Sequence, residues 1–149
     1  MRIRRPVQNQ QRRWGAALVE MALVLPIFVT VTLEIVEFGR AMMVAQLVTN
    51  AAREGARLGS LEGATNTEVV QTCRDFLVDT TSCATDDITV VITVTPAVGN
   101  PSPNNQIGNA RFRDQVNVQI EVPFDKVSFI GGSYLTGKNL VGNATMRHE

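Results

Sequence analysis

The chain has 149 residues, 44% of them hydrophobic and 5% aromatic, with 14 Lys and Arg against 14 Asp and Glu, two cysteines and one histidine. That is room for one small domain plus one long extra element, and too apolar for global disorder. The zero net charge hides a split: Arg2, Arg4, Arg5, Arg12 and Arg13 put +5 into the first 14 residues, leaving 9 − 14 = −5 for the rest, so no basic, aromatic-laced nucleic-acid face exists, and the single His148 argues against triad catalysis and zinc sites.

Residues 15–38 read GAALVEMALVLPIFVTVTLEIVEF. The uncharged stretch 21–33 is short for a membrane span, but tolerating Glu20 brings the segment to spanning length. A cleavable secretory signal with Gly39-Arg40-Ala41 as the cut site competes with a retained helix. Against it stand the carboxylate inside the apolar region, the arginine in the cleavage triplet, and a helical pattern that continues through Met42, Met43, Leu47, Ala51 and Leu58. The basic residues before the span place the N-terminus in the cytoplasm and the remainder outside. Pro26 lies within the span, where membrane helices tolerate a proline.

A carboxylate at Glu20 is costly in lipid unless it has a partner or snorkels toward the headgroups. Its context is a basic leader ending in Gly15, four apolar residues, and then the acid. This resembles a prepilin signal of the type IV pilin class. The longer run through Phe38-Gly39-Arg40 and Asn50-Ala51-Ala52-Arg53-Glu54-Gly55-Ala56-Arg57 resembles the TadE-like pseudopilin family; 140–149 resembles its C-terminal strand more weakly. The resemblance implies that a prepilin peptidase cuts between Gly15 and Ala16, which makes Glu20 the fifth residue of the mature chain. The freed α-amino group and a neighbour's carboxylate, both costly in lipid alone, would then pair on assembly. Met21 stands where pilins of the related Flp class usually carry an aromatic.

Beyond Glu34 and Glu37, Val44, Leu47, Val48, Ala51, Ala52 and Gly55 recur at helical spacing, with Gln46, Asn50, Arg53, Glu54 and Arg57 elsewhere on the wheel. One helix over 16–58 is predicted, with a Glu54–Arg57 pair. Gly59 is expected to end it, although Gly55 and Gly59 also form a small-xxx-small pair. The spacing then predicts a second helix over 67–78, capped by Asn66 or Thr67, with Val69, Val70, Cys73, Phe76 and Leu77 on one face.

Period-two alternation of β-branched residues predicts strands over 88–95 and 116–122, and a third is a candidate over 140–147. The fold class is therefore α+β: a long pilin-like transmembrane helix, a short helix, and a small antiparallel sheet whose apolar face the helices cover. The expected organisation is a leader at 1–15, a span at 16–38, its continuation at 39–60 and an outer domain at 61–149. Residues 96–114, rich in Pro, Asn, Gly and Ser, read as an exposed, mobile loop.

Cys73 and Cys83, on the oxidising side by this topology, are expected to form a disulfide. Gly132 to Lys138 has the spacing of a phosphate loop, but Asn139 follows where Ser or Thr is needed and a strand follows where a helix is needed. Asn143-Ala144-Thr145 is a glycosylation sequon inside a predicted strand.

The expected function is a membrane-anchored subunit of a Tad-type pilus that works by assembly. The resemblance implies other pilins, the prepilin peptidase and an inner-membrane assembly platform as partners, with membrane lipid around the span; no cofactor or metal is expected. An uncut single-pass protein displaying an adhesive or sensory domain is the alternative. An enzyme would have to use Asp86, Asp87, Asp114 or Asp125, which no base, metal set or phosphate loop accompanies.

Overall fold

The structure is a computed structural model that describes residues 8–81, 83–129 and 135–149, with side chains from Trp14 onward. Helix α1 is Gln8–Gly59 and helix α2 is Asn66–Thr81; strands β1, Thr89–Thr95, β2, Gln115–Pro123, and β3, Asn139–Arg147, follow. The chain forms two compact units, one ending at Val36 and the other Glu37–Glu149, and α1 contributes to both. The fold is α+β, as the periodicities predict. Helix α1 begins earlier than expected, within the leader, and remains helical through Pro26.

In the second unit the sheet order is β1-β2-β3, antiparallel throughout. The register sets Ile92 opposite Val118 and Ile120 opposite Gly142. Central β2 buries Val116, Val118, Ile120 and Val122, and its alternate residues face outward. Against this apolar face lie Ala41, Val44, Val48, Ala51, Ala52 and Ala56 of α1, all buried. The small residues on this stripe let backbones approach closely. A Cβ on Gly142 of β3 would sit 2.8 Å from Thr49 N and Val48 C, and one on Gly55 would run into Cys73 Sγ. Gly59 ends α1 as expected and also packs, with Ile107 and Val116 each 3.1 Å from its notional Cβ. The small-xxx-small pair thus serves α2, β2 and the loop after β1.

Helix α2 buries Val69, Cys73, Leu77 and Thr81, a narrower stripe than the sequence suggests, since Val70 is half-buried and Phe76 exposed. Its cap is Thr65, whose Oγ1 accepts the N–H of Glu68 at 3.3 Å, the Thr-x-x-Glu pattern of a capping box. Asn66 is instead turned to the 96–114 loop: its Oδ1 accepts from Ile107 N at 2.7 Å and its Nδ2 donates to Asn105 O at 2.8 Å.

That loop is pinned, contrary to the expected mobility. Ile107 is fully buried in the core. Buried Asp114 accepts from Ala97 N at 2.8 Å, Asn100 Nδ2 at 2.6 Å and Arg111 N at 2.8 Å. Burial opposes ionisation of Asp114 most strongly, but the hydrogen bonds from Asn100, Ala97 and Arg111, with the nearby His148, outweigh it and hold its carboxyl below the ordinary range.

The expected Cys73–Cys83 disulfide is absent: both are buried free thiols. Cys73 faces α1, its Sγ 3.5 Å from Ala51 O. Cys83 lies past the helix end, its N–H donating to Thr81 Oγ1 at 3.4 Å.

Candidate functional site: the uncovered helix and its junction

In the first unit, every side chain from Trp14 to Val36 is exposed except that of Glu34, which is half-buried. Trp14, Leu18, Val19, Leu23, Ile27 and Phe28 are among the most exposed apolar groups. The stretch 14–36 is about 34 Å long at 1.5 Å per residue, the thickness of a hydrocarbon layer. It lies within the one described helix long and apolar enough to cross a membrane. Its interior hydroxyls are satisfied within the helix: Thr30 Oγ1 donates to Pro26 O at 2.9 Å and Thr32 Oγ1 to Phe28 O at 2.8 Å. Such back-bonding removes the cost of carrying a hydroxyl into an apolar surround.

Gly15, Ala16 and Glu20 lie on this stretch, all exposed. Nothing lies within 4 Å of the position a Cβ on Gly15 would take. Glu20 follows Ala16 by four residues, one turn on the same helix face. The ion pairs among the described residues are Arg57–Glu54 and Lys126–Asp87, so Glu20 has none. Arg12 and Arg13 fall on α1, and Arg2, Arg4 and Arg5 lie outside the described residues.

Where the second unit begins, α1 changes character. Glu37, which with Glu34 marks the outer end of the span in the sequence, and Arg40 are structural anchors. Glu37 is buried and its Oε2 accepts from Phe129 N at 3.3 Å. Arg40 Nε donates to Val127 O at 3.0 Å, its second amine to Thr81 O at 3.4 Å, and its guanidinium stacks 4.3 Å from the Phe129 ring. The signal available in sequence was the spacing of Glu37, Arg40, Ala41 and Val44 on one helical face.

The acids considered for catalysis are separate. Asp114 organises its loop; Asp87 pairs with Lys126 at 3.1 Å; Asp125 accepts from Gly137 N at 3.0 and 3.1 Å; Asp86 is exposed. The phosphate-loop look-alike lies partly outside the described residues, and its end, Lys138, leads directly into β3. Among the described residues no three His, Cys, Asp or Glu side chains cluster to hold a metal. One cleft, about 670 Å³, is lined by Arg111, Arg113 and Arg147 with Phe112 and Val98.

An exposed apolar helix of this length joined in sequence to a small α+β unit fits a single-pass membrane protein. The model of the TadE-like protein family matches residues 15–57, the span and the helical segment that packs on the sheet. Among curated proteins and solved structures nothing matches the chain.

Proposed function

We propose that the protein is a TadE-like pseudopilin, a membrane-anchored minor subunit that acts in assembly of a Tad-type pilus rather than by catalysis. The observation that carries the reading is the family match, which begins at Gly15 and runs through the uncovered helix. On this reading a prepilin peptidase cuts the Gly15–Ala16 bond on the cytoplasmic face of a bacterial inner membrane. The span holds the subunit in lipid, and residues from Glu37 onward stand outside the cytoplasm. Glu20 then meets the new α-amino group of a neighbouring subunit: each charge alone is costly in lipid, and their pairing makes assembly favourable and sets the axial register. Other pilins and an inner-membrane assembly platform are the partners.

Intact mass of the membrane-extracted chain, from cells with and without the peptidase, tests the first step. A chain beginning at Ala16 only where the peptidase is present is expected. A chain retaining 1–15 in both sinks the reading and favours an uncut single-pass display protein. Glu20→Ala is expected to leave insertion unchanged and to reduce pilus yield; unchanged piliation would show that the carboxylate serves only to reach the headgroups.

A further inference from the structure

The three-stranded sheet is open at both edges. In an antiparallel ladder each residue turns its N–H and C=O toward the same neighbour, and successive residues alternate. His148 N donates to Asp114 O and Phe124 N to Lys138 O. Even-numbered positions of β3 therefore face β2, while Val141, Asn143 and Thr145 face the free edge. On β1, Val94 N donates to Asn105 Oδ1 at 3.1 Å, away from β2, so Val90 and Ile92 turn their backbone groups outward too.

Apart from the Asn105 side chain on Val94, neither edge carries the usual protection. Strand β1 is Thr-Val-Val-Ile-Thr-Val-Thr, without charge or proline, and β3 has its only charge at Arg147. The outward face of the sheet is mostly Thr, Asn and Gln. Its large apolar exceptions are Val91, 47% exposed, and Val141, 51% exposed, one on each edge strand. Because β1 and β3 are both antiparallel to β2, they run parallel to each other.

We propose that β1 of one copy pairs in parallel with β3 of a second copy, continuing the sheet with Val91 beside the second copy's Val141. The register uses the free groups on both sides. Ile92 N–H donates to the second copy's Val141 C=O, and Ile92 C=O accepts from its Asn143 N–H. One step earlier Val90 does the same with the second copy's Asn139 and Val141; one step later Val94 C=O accepts from its Thr145 N–H. Val94 N–H exchanges Asn105 Oδ1 for the second copy's Asn143 C=O, which faces it in the same register. Faces are conserved, since Ile92 falls beside Gly142 on the core side while the two exposed valines cover each other outside. Asp86, exposed just before β1, comes near the second copy's Lys138, exposed just before β3. Each copy offers β1 to one neighbour and β3 to another, all pointing the same way, so the contact is heterologous and propagates. The inference rests on the subunit reading above and gives that subunit a specific lateral contact.

The test is the full-length V91C/V141C variant in membranes, treated with a mild oxidant and read on a non-reducing gel. Within one chain these positions are two strand spacings apart and two residues out of line, more than about 10 Å, beyond the roughly 7 Å that a disulfide can bridge. Cys73 and Cys83 are buried, so the wild type serves as the blank. A ladder of dimers and higher species is expected from the double variant, with V91C and V141C alone remaining monomeric. Adding Asn143→Pro removes an edge-facing N–H without breaking a bond to β2, and is expected to abolish the ladder while Cys73 and Cys83 stay unreactive. A double variant that stays monomeric overturns the pairing, as does dimerisation of V91C alone, which would mean a two-fold edge. The mass of the same sample keeps the readings separate: a chain cut after Gly15 that gives no ladder overturns only the sheet pairing, whereas an uncut chain overturns the subunit reading.

Discussion

At the scale of single residues, Asp114 shows how one carboxylate turns a loop of turn-forming residues into fixed structure. Its three donors come from both ends of the 96–114 segment, and Arg113 beside it adopts φ 76°, a left-handed backbone that needs such anchoring. Asp114→Asn keeps one acceptor oxygen and turns an amide toward donors, so a loss of about 1–3 kcal/mol in chemical unfolding is expected. A carboxyl held below its ordinary range stabilises the fold at pH values above the unfolded pKa, near 4, and this contribution is lost as pH falls through the lower folded value. Wild type is therefore expected to lose stability more steeply than Asp114→Asn below about pH 4. Burial, with Glu54 adding to it, pushes the Cys73 thiol up to about 11, and burial followed by Asp87 raises Cys83. Both thiols are expected to resist alkylation of the native protein at pH 8 and to react on denaturation without prior reduction. A chain that yields no thiols until it is reduced would restore the disulfide.

At the scale of elements, the decisive contact is β3 crossing the backbone of α1. Gly142→Ala places a methyl group against Val48 and Thr49 main chain, which cannot rotate aside, and a loss of about 1–3 kcal/mol or more is expected by thermal unfolding. Gly108→Ala, with nothing within 4 Å of its Cβ, is the control. The elements themselves were legible because each has its own period: the 3.6 spacing of Val44, Val48 and Ala51, and the alternation of Val116, Val118, Ile120 and Val122. What periodicity does not carry is partnership. Glu37 reads as the outer end of the span, yet it is buried with its carboxylate on Phe129 N, and Asn66 reads as a cap until Ile107 takes its oxygen. The cysteines are a case of the same kind: their spacing in sequence does not carry the packing of Cys73 against Ala51 of α1, where both thiols are buried and free. The proposed processing motif is local in sequence, whereas the neighbours of Glu20 in an assembly are not encoded in the chain's own contacts.

At the scale of the whole molecule, the proposed orientation rests on how the balanced charge is distributed. Five arginines precede an apolar helix that ends near Glu34, and the second unit carries Lys and Arg at nine positions against 12 acids. Positive charge close to a span opposes its translocation far more than acidic charge does, so on the proposed topology the arginines of residues 2–13 are expected to decide which side the sheet unit occupies. Replacing Arg2, Arg4, Arg5, Arg12 and Arg13 with glutamine removes the bias and leaves Arg40 as the basic residue nearest the span. The readout is Thr93→Cys on the exposed face of β1, labelled in intact cells by a reagent that cannot cross the inner membrane. With the leader intact, Thr93→Cys is expected to be labelled. With the five arginines replaced, labelling is expected to fall, because a fraction of chains inserts with the sheet unit inside or fails to insert. Equal labelling in both backgrounds would mean that the translocated unit, not the leader, sets the topology.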